Sequence, residues 1–479
     1  MVDKDLLSVQ EARSLVRAAK KAQAELASLD QEHIDCIVKA ISEAVRSQAE
    51  SLAALAVEET GFGKVQDKTA KNILASEQLF EAIKDMKTIG VLSEDKVKKI
   101  TEIAVPVGVI AGIVPSTNPT STTIYKSMIS IKSGNAIVFT PHPSAKKCIG
   151  KTVEIIRSAL SKCGVCEDLV SVMSIPTIQG SGELMKVADL ILATGGPGMV
   201  KAAYSSGTPA LGVGAGNVPA YIERSADVED AVRKIFMSKT FDNGTICASE
   251  QSIVTESVIA DKVRAAVIAE GGYFLEGECL EKVKRVMERG NGSMNPDIVG
   301  RDAAYIAKIA GITIPHGVRV LVSDEKGIGP KYPFSKEKLT GLLGFYVVED
   351  WKEACETCHA LLENGGIGHS LSIHSQNEEV IREFGIKKPV SRLLVNTPST
   401  QGAVGLSTSL FPSFTLGCGT VGGSATSDNV TPLNLMNVRR IAYDLGTTTS
   451  HHAPAADESS SLDVTAITAM IVEQLKQMV

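Results

Sequence analysis

The sequence has no excess of positive charge. Its 479 residues include 49 lysines and arginines against 55 aspartates and glutamates, which gives a formal net charge of −6 at pH 7. A protein that binds a nucleic-acid backbone or an anionic membrane needs a basic surface. We therefore predict neither kind of partner. The remaining composition, with 44% hydrophobic and 22% charged residues, is typical of a globular protein.

Long apolar runs are also missing. The longest candidate, 103–114, is interrupted by Pro106 and Gly108 and is shorter than the roughly 18 to 20 residues that cross a bilayer. The amino-terminal residues lack the basic start and the apolar stretch of a secretory signal. The sequence thus predicts a cytoplasmic protein without membrane segments.

The nine cysteines do not indicate a disulfide framework, because their number is odd and no export signal precedes them. Two pairs have the spacing of metal or redox motifs, Cys163 with Cys166 and Cys355 with Cys358, and His359 follows the second pair. The second pair falls on a predicted amphipathic helix, where cysteine packs as a small hydrophobic residue. We predict no metal site and reduced thiols.

The chain is too long for one core, because single cores stop growing at roughly 250 to 300 residues. Helical spacing dominates residues 10–89, after which short apolar runs that end at glycine, proline or asparagine alternate with helical segments. This alternation predicts an α/β fold with a doubly wound parallel sheet and a nucleotide site at the carboxyl ends of its strands. The predicted strands are 108–114, 135–140, 169–172, 190–193, 220–222, 251–254, 318–322, 343–348, 370–374 and 392–395.

Five segments follow from this pattern. Residues 1–236 are predicted to form a Rossmann-type cofactor-binding domain with a helical amino-terminal region, and 237–410 a second α/β domain that carries Cys247. A shorter segment, 411–445, completes the folded body. Residues 446–461 have the composition of a flexible linker. In 462–479, apolar residues at three- and four-residue spacing predict an amphipathic helix.

Cys247 stands in surroundings suited to catalysis. It follows the turn signal Asp242-Asn-Gly244 and precedes a predicted strand, and no charged residue lies between Asp242 and Glu250. A thiolate attacks a carbonyl carbon, and the resulting oxyanion needs donors such as the cysteine N–H and a side-chain amide. Asn118, in the loop Pro115-Ser-Thr-Asn-Pro119, is a candidate amide donor. On spacing alone, a structural role for either residue stays open.

Four longer motifs carry a family resemblance. They are Pro115-Ser-Thr-Asn-Pro-Thr-Ser121, Thr194-Gly-Gly-Pro-Gly-Met-Val-Lys-Ala-Ala-Tyr-Ser-Ser-Gly207, Gly212-Val-Gly-Ala-Gly-Asn-Val-Pro219 and Lys239-Thr-Phe-Asp-Asn-Gly-Thr-Ile-Cys-Ala-Ser-Glu-Gln251. Over about residues 10 to 445 the chain resembles coenzyme A-acylating aldehyde dehydrogenases. These include the aldehyde dehydrogenase half of bifunctional alcohol/aldehyde dehydrogenases and the stand-alone acetaldehyde, propionaldehyde and succinate-semialdehyde enzymes.

The resemblance implies an aldehyde dehydrogenase-like fold and a reaction. Cys247 would be the nucleophile and Asn118 would help to hold the oxyanion. Oxidation of a short-chain aldehyde by NAD, or alternatively NADP, would leave a thioester on Cys247 that the thiol of coenzyme A displaces reversibly.

Hydrolytic relatives activate water with a glutamate near Gly212, whereas here no acidic residue occurs between Asp189 and Glu223. Loss of such a base slows water attack by a factor of about a hundred to ten thousand. The resemblance and this absence together favour acyl transfer over hydrolysis.

Cofactor contacts are also implied by the resemblance. Small residues after the strand 190–193 would let a pyrophosphate approach backbone amides, unless they form only a bare turn. Glu337 resembles the glutamate that holds the nicotinamide ribose, with an exposed charge on a lysine-rich loop as the alternative. His369 would lie near the thiol or be an ordinary buried histidine. The implied cofactor-binding residues are Thr117, His142, Pro143, Gly195, Gly198, Gly212 and Glu337.

Several functional alternatives stay open. A hydrolytic aldehyde dehydrogenase and a scaffolding relative without activity compete with the acylating enzyme. The resemblance favours acetaldehyde or propionaldehyde, and succinate semialdehyde or sulfoacetaldehyde would need a cationic group in the acyl pocket. Relatives pair their subunits through a late strand, so we expect a homodimer or homotetramer that uses 411–445.

The carboxyl-terminal segment 462–479 resembles the encapsulation peptides that tether enzymes to shell proteins of bacterial microcompartments, where a volatile aldehyde is confined. Val464, Ile467, Ile471 and Leu475 would form the apolar face that meets a partner groove. The alternative is a helix that docks on its own oligomer.

Overall fold

The computed structural model describes residues 3–289 and 294–445, and also 468–469 and 472–474, which are helical. The predicted linker, 446–461, and most of the predicted amphipathic helix, 462–479, lie outside the described residues. No helix in the described part of the chain has both the length and the apolar character needed to span a bilayer.

The helices form where apolar residues recur at helical spacing, as in the second helix, whose inward face carries Ile34, Ile37, Val38, Ile41 and Val45. The helices are α1 Lys4–Leu26, α2 Gln31–Arg46, α3 Ala49–Thr60, α4 Val65–Ile73, α5 Leu79–Ile83, α6 Pro119–Lys132, α7 Lys146–Lys162, α8 Ile178–Val187, α9 Pro197–Tyr204, α10 Val228–Thr240, α11 Ser257–Ala269, α12 Gly277–Met287, α13 Ala303–Ala310, α14 Trp351–Glu363, α15 Glu378–Lys387 and α16 Ser399–Ala403.

All ten predicted strands are confirmed, although their ends shift by one or two residues. The strands are β1 Gly90–Asp95, β2 Ile100–Pro106, β3 Val109–Val114, β4 Ala136–Pro141, β5 Val170–Val172, β6 Leu190–Thr194, β7 Ala210–Val213, β8 Val218–Ile222, β9 Glu250–Glu256, β10 Gly272–Phe274, β11 Val320–Asp324, β12 Leu342–Val348, β13 Gly368–His374, β14 Val390–Val395 and β15 Met436–Ala442. The prediction did not include β1, β2, β7, β10 or β15.

Two parallel sheets organise the molecule. The first has the order β5-β4-β3-β6-β7, so its strand order reverses between β3 and β6. The second has the order β10-β11-β12-β9-β8-β13-β14. Every residue of β3 and β4 is buried, as expected for parallel strands covered by helices on both faces. A third, antiparallel sheet joins β1, β2 and β15.

The chain passes from the first sheet to the second between β7 and β8, through the glycine-rich residues 214–217. The predicted segment 1–236 runs past this point, because the hydrophobic pattern of a short strand does not reveal which sheet it joins. The loop that carries Cys247 links α10 to β9. Its flanking residues Ile246 and Ala248 are buried in the same apolar cluster as the first sheet. The loop therefore reaches from one sheet into the core of the other.

Candidate active site

A cavity of about 540 Å³ opens at the carboxyl ends of β3, β4 and β6, beside the reversal of strand order. Its walls come from both sheets, because the Cys247 loop and the segment before β12 close one side. The predicted residues that line it are Thr117, Asn118, His142, Pro143, Gly195, Cys247 and Glu337.

Two predicted residues lie elsewhere. Gly198 is exposed in the first turn of α9, and no atom lies where its side chain would begin. Gly212 lies in β7, where its N–H donates to the Tyr204 hydroxyl over 2.9 Å and the same hydroxyl lies 3.1 Å from its carbonyl oxygen. It lines a separate cavity of about 460 Å³. Gly212 therefore packs against Tyr204 and does not line the main cavity.

A left-handed turn delivers Cys247 to the cavity. Asp242, Asn243 and Gly244 have φ values of 47°, 53° and 74°, a region that asparagine and aspartate adopt more readily than other residues with a side chain. On the opposite side, Gly216 lies so close that an added side chain would overlap the Cys247 carbonyl oxygen. The turn and this close approach fix the backbone of the cysteine.

The Cys247 thiol is protonated in the resting site. Burial raises its pKa to about 12, and the Glu337 carboxylate and the Cys418 thiol contribute in the same direction. Arg392 and the cysteine's own backbone N–H oppose the shift. Because the thiolate is the nucleophile, the site needs a group that accepts the proton.

His369 occupies the position for that role. Its Nε2 lies 3.1 Å from Cys247 Sγ, and its Nδ1 lies 3.0 Å from Ser370 Oγ. Burial, with a smaller contribution from Arg392, lowers the pKa of His369 to about 3. The imidazole is therefore neutral near pH 7, with a ring nitrogen that can accept the hydrogen bond of the thiol. A pKa this low also makes the imidazole a weak base, so transfer of the thiol proton has to accompany attack on the substrate rather than precede it. The open question about His369 is answered in favour of a place beside the thiol.

Asn118 precedes α6, whose first residue is Pro119. Its Nδ2 donates to Thr245 O over 3.3 Å and to Thr117 Oγ1 over 3.2 Å. Its Oδ1 accepts from Lys71 Nζ over 2.6 Å. The amide N–H groups thus face the Cys247 loop, and the carbonyl faces away from it.

Glu337 is not an exposed loop charge. It lines the cavity, and its Oε1 accepts the N–H of Gly216 over 2.8 Å. Burial raises its pKa to about 7, while that hydrogen bond and the nearby Lys239 and Lys338 lower it. Lys338 points inward, because its Nζ is buried and donates to two backbone carbonyls. The alternative that Glu337 is an exposed charge on a lysine-rich loop is therefore wrong.

The cavity has the chemistry to hold a dinucleotide. Gly195 and Gly196 stand before α9, where backbone N–H groups and the helix dipole favour phosphate oxygens. Apolar residues such as Pro143 and Met199 offer a slot for a flat ring, and the Glu337 carboxylate can accept from ribose hydroxyls. The donor set fits the group that the resemblance implies.

Sequence reasoning missed several buried charged residues around the site, among them Lys71, Asp242 and Arg392. Asp242 was noted only as part of a turn signal, and Lys71 sits in an ordinary polar helix pattern. Arg392 follows the start of β14 and donates to the His369 carbonyl over 3.1 Å. No sequence signal separates these residues from surface charges, because their partners are distant along the chain.

The fold and the site define a class of α/β enzymes that combine a nucleotide-type cavity with a cysteine in the cavity wall. The chain belongs to the aldehyde dehydrogenase family, whose model matches residues 4–272. A crystal structure of an acetylating aldehyde dehydrogenase from Geobacillus thermoglucosidasius is 49% identical, with a TM-score of 0.91, over 93% of this chain and 99% of the other.

Two further relatives extend the comparison. The bifunctional aldehyde-alcohol dehydrogenase AdhE of Escherichia coli (strain K12) is 45% identical over 442 residues, which are 91% of this chain and 50% of the relative. A propionaldehyde dehydrogenase structure from Rhodopseudomonas palustris with bound propionyl-CoA is 26% identical, with a TM-score of 0.82, over 90% and 94% of the two chains. The chain thus spans about half the length of the curated bifunctional relatives.

Proposed function

We propose that the protein is a coenzyme A-acylating aldehyde dehydrogenase that converts a short-chain aldehyde to an acyl-CoA with NAD, or alternatively NADP. The observation that carries the proposal is the contact of 3.1 Å between the Cys247 thiol and the neutral His369 at the wall of the cavity. The acetylating relative and the propionyl-CoA-bound relative support the same chemistry.

In the first step, His369 Nε2 accepts the thiol proton and Cys247 Sγ attacks the aldehyde carbon. The carbonyl oxygen becomes an oxyanion that the N–H groups of Asn118 and of Cys247 can stabilise. A nicotinamide cofactor, when bound, supplies a hydride acceptor for the oxidation. Gly195, Thr117 and Glu337 would hold it through phosphate and ribose contacts, beside His142 and Pro143.

In the second step, the thiol of coenzyme A attacks the thioester on Cys247. The proton taken up in the first step passes to solvent, so that neutral His369 accepts the proton of the incoming thiol. His369 then returns this proton to the Cys247 sulfur, which leaves as the acyl group moves to coenzyme A. A thioester is exchanged for another thioester, so the step is reversible.

Hydrolysis is the competing reaction. Glu337 is the carboxylate in the cavity wall, and it accepts the Gly216 amide through Oε1. This hydrogen bond holds the carboxylate in place and favours a binding role over activation of water. No other acidic residue of the described chain lines the cavity.

The decisive experiment measures NAD reduction with propionaldehyde in the presence and absence of coenzyme A, with mass spectrometry of the product. We expect turnover that depends on coenzyme A and yields propionyl-CoA. Equal rates without coenzyme A and release of the free acid would overturn the proposal in favour of the hydrolytic enzyme. Acetaldehyde, succinate semialdehyde and sulfoacetaldehyde complete the substrate panel.

A homodimer or homotetramer through 411–445 is also proposed. The support is the outer strand β15, which pairs with β2 on one side and exposes Ile441, with Tyr443 and Leu445 exposed just after it. Light scattering after size exclusion gives the mass in solution. A monomer at micromolar concentration would contradict this assignment.

We further propose that 462–479 directs the enzyme to the shell of a cytoplasmic bacterial microcompartment, on the strength of its apolar spacing after a polar linker. Fusion of residues 459–479 to a fluorescent protein tests this in cells that form such compartments. Discrete foci are expected. Diffuse fluorescence, with truncated enzyme still in purified shells, would contradict the proposal.

A further inference from the structure

Buried charges lie beneath the Asn118 loop and form what we call the lysine–aspartate cluster, defined by Lys68, Lys71 and Asp242. The two lysine side chains are 3% and 2% exposed, and that of Asp242 is fully buried. Lys68 Nζ lies 2.9 Å from Asp242 Oδ2, and Lys71 pairs with the same oxygen. Asp67 is the second carboxylate nearby and accepts the N–H of Asp242 over 2.7 Å. Burial of such a cluster costs free energy unless every group is paired.

Lys71 uses all three of its donors within this region. Besides Asp242, its Nζ donates to Thr245 Oγ1 over 3.1 Å and to Asn118 Oδ1 over 2.6 Å. Burial lowers the pKa of Lys71 to about 8, while Asp242 raises it. The ammonium form therefore prevails at pH 7.

The contact with Lys71 fixes which way the Asn118 amide points. An ammonium group has no acceptor, so only the Oδ1 end of the amide can face it. Nδ2 must then face the Cys247 loop, where it lies 3.3 Å from Thr245 O, and it lies 3.2 Å from Thr117 Oγ1 in its own loop. Both distances are longer than the usual value of about 2.9 Å. Such weak contacts are readily exchanged for a stronger one with a negatively charged oxygen.

The same contact changes the strength of the amide as a donor. A cation on Oδ1 withdraws electron density from the amide nitrogen, and hydrogen bonds polarise one another along a chain in a buried site. The effect is largest when negative charge develops at the other end of the chain.

We propose that Lys71 is a positioning residue for carbonyl addition at Cys247, which orients the Asn118 amide and strengthens its N–H groups toward the oxyanion while Asp242 holds Lys71 in place. The inference rests on the proposed roles of Cys247 and Asn118.

Lys68 is the matched control. It shares the carboxylate of Asp242 and is as deeply buried, but its other contact is with the Thr117 carbonyl over 2.8 Å. No hydrogen bond from Lys68 to Asn118 occurs in the described structure. Loss of either lysine removes one cation from the cluster, and only the loss of Lys71 removes the partner of the Asn118 amide.

Two reactions of Cys247 separate positioning from general damage. Acylation by 4-nitrophenyl acetate forms a C–S bond, breaks the ester C–O bond and passes through an oxyanion, with release of nitrophenolate and of the thiol proton. Alkylation by iodoacetamide displaces iodide and forms no oxyanion. The rate measured with Cys247→Ala gives the contribution of the other thiols and is subtracted in both reactions.

We expect Lys71→Met to slow acylation by about tenfold or more, as part of the loss seen when an oxyanion donor is removed, and to leave alkylation within about twofold. Lys68→Met should slow acylation by less than about threefold. Combined with Asn118→Ala, Lys71→Met should add almost nothing, because both variants remove the same interaction. If Lys71→Met does not fold, Lys71→Gln keeps a neutral donor and removes the charge, and its loss in acylation should still exceed its loss in alkylation.

Equal losses in acylation and alkylation, additive effects with Asn118→Ala, or an equal loss in Lys68→Met would overturn the inference. Failure of the proposed function has a different signature. In that case wild-type protein would react with 4-nitrophenyl acetate at Cys247 but would show no turnover that depends on coenzyme A.

Discussion

The two sides of Cys247 are supported by buried cations in opposite ways. On the Asn118 side, Lys68 and Lys71 share a carboxylate, Asp242. On the His369 side, Arg392 is only 4% exposed and donates to carbonyl, hydroxyl and amide oxygens. None of its hydrogen-bond partners in the described structure is a carboxylate.

The two kinds of support affect different properties, namely the orientation of the Asn118 amide and the protonation of the His369 imidazole. A cation paired with a carboxylate acts mainly on the groups that it touches, so Lys71 orients and polarises the Asn118 amide through their direct hydrogen bond. A cation that contacts only neutral oxygens keeps its field. Burial is the main cause of the lowered pKa of His369, and Arg392 adds to it; Arg392 also opposes the rise that burial causes in the pKa of Cys247. In the proposed mechanism, one side therefore arranges the donor for the oxyanion, and the other helps to keep the proton acceptor neutral.

Removal of the residue between the two sides has the largest expected effect. Cys247→Ala should abolish aldehyde oxidation and the reverse reduction of acyl-CoA, because both directions pass through the same thioester. Nucleotide binding, measured by calorimetry, should survive. Turnover in either direction above a purification blank would show that Cys247 is not the nucleophile.

The His369 side comes next. His369→Ala should lower turnover by about a thousandfold, within the range for loss of a general base. The matched control is His374→Gln, a buried histidine at the end of the same strand with no contact to Cys247. If both variants lose activity equally, the imidazole of His369 acts only through packing.

The pH dependence of turnover tests the protonation state of His369. Since burial and Arg392 lower the pKa of His369 to about 3, the imidazole stays neutral as pH falls through the usual histidine range near 6.5. Turnover should therefore show no acid limb from His369 near that pH. An acid limb near pH 6.5 that His369→Gln abolishes would show that the imidazole titrates normally.

The Asn118 side should give a smaller loss. Asn118→Ala is expected to cost on the order of a hundredfold in turnover, since one of two oxyanion donors is removed. Alkylation of Cys247 by iodoacetamide should stay near the wild-type rate. Near-normal turnover would mean that Asn118 is a loop residue and that the donor lies elsewhere.

Substitution of Glu337 has the smallest expected effect on the reaction of Cys247. Burial is the main cause of the raised pKa of Cys247, and the Glu337 carboxylate adds to it. Glu337→Gln should therefore lower that pKa slightly and shift the pH dependence of alkylation toward lower pH. A few-fold weaker affinity for NAD should accompany the shift. Glu325→Gln, a buried carboxyl outside the cavity wall, is the control, and a shift of the same size in it would refute a direct effect.

Much of this arrangement could be predicted from the sequence. Strands such as β3 and β4 are continuous apolar runs with clear ends, and the motif around Cys247 is long enough to predict that this residue lies in the site. β15 was missed because its residues are mostly exposed and include Arg439 and Arg440. β7 was missed because it is a four-residue strand that contains a glycine.

The supporting charges could not be predicted for a different reason. Lys71 and Asp242 are 171 residues apart along the chain, and a polar helix residue has the same pattern whether it faces water or a buried carboxylate. Arg392 likewise resembles any charged residue within a strand. Only tertiary packing determines which charged side chains are buried.

The close approach of Gly216 to Cys247 bears on redesign. A hydrolytic variant would need a carboxylate on the segment 212–216, within reach of the thioester. No atom lies within 4 Å of a side chain begun at position 214, whereas one at 216 would displace the cysteine backbone and approach His369 Cγ to 3.2 Å. A library randomised over this segment would therefore tolerate acids at 214 and recover glycine at 216 in every active clone.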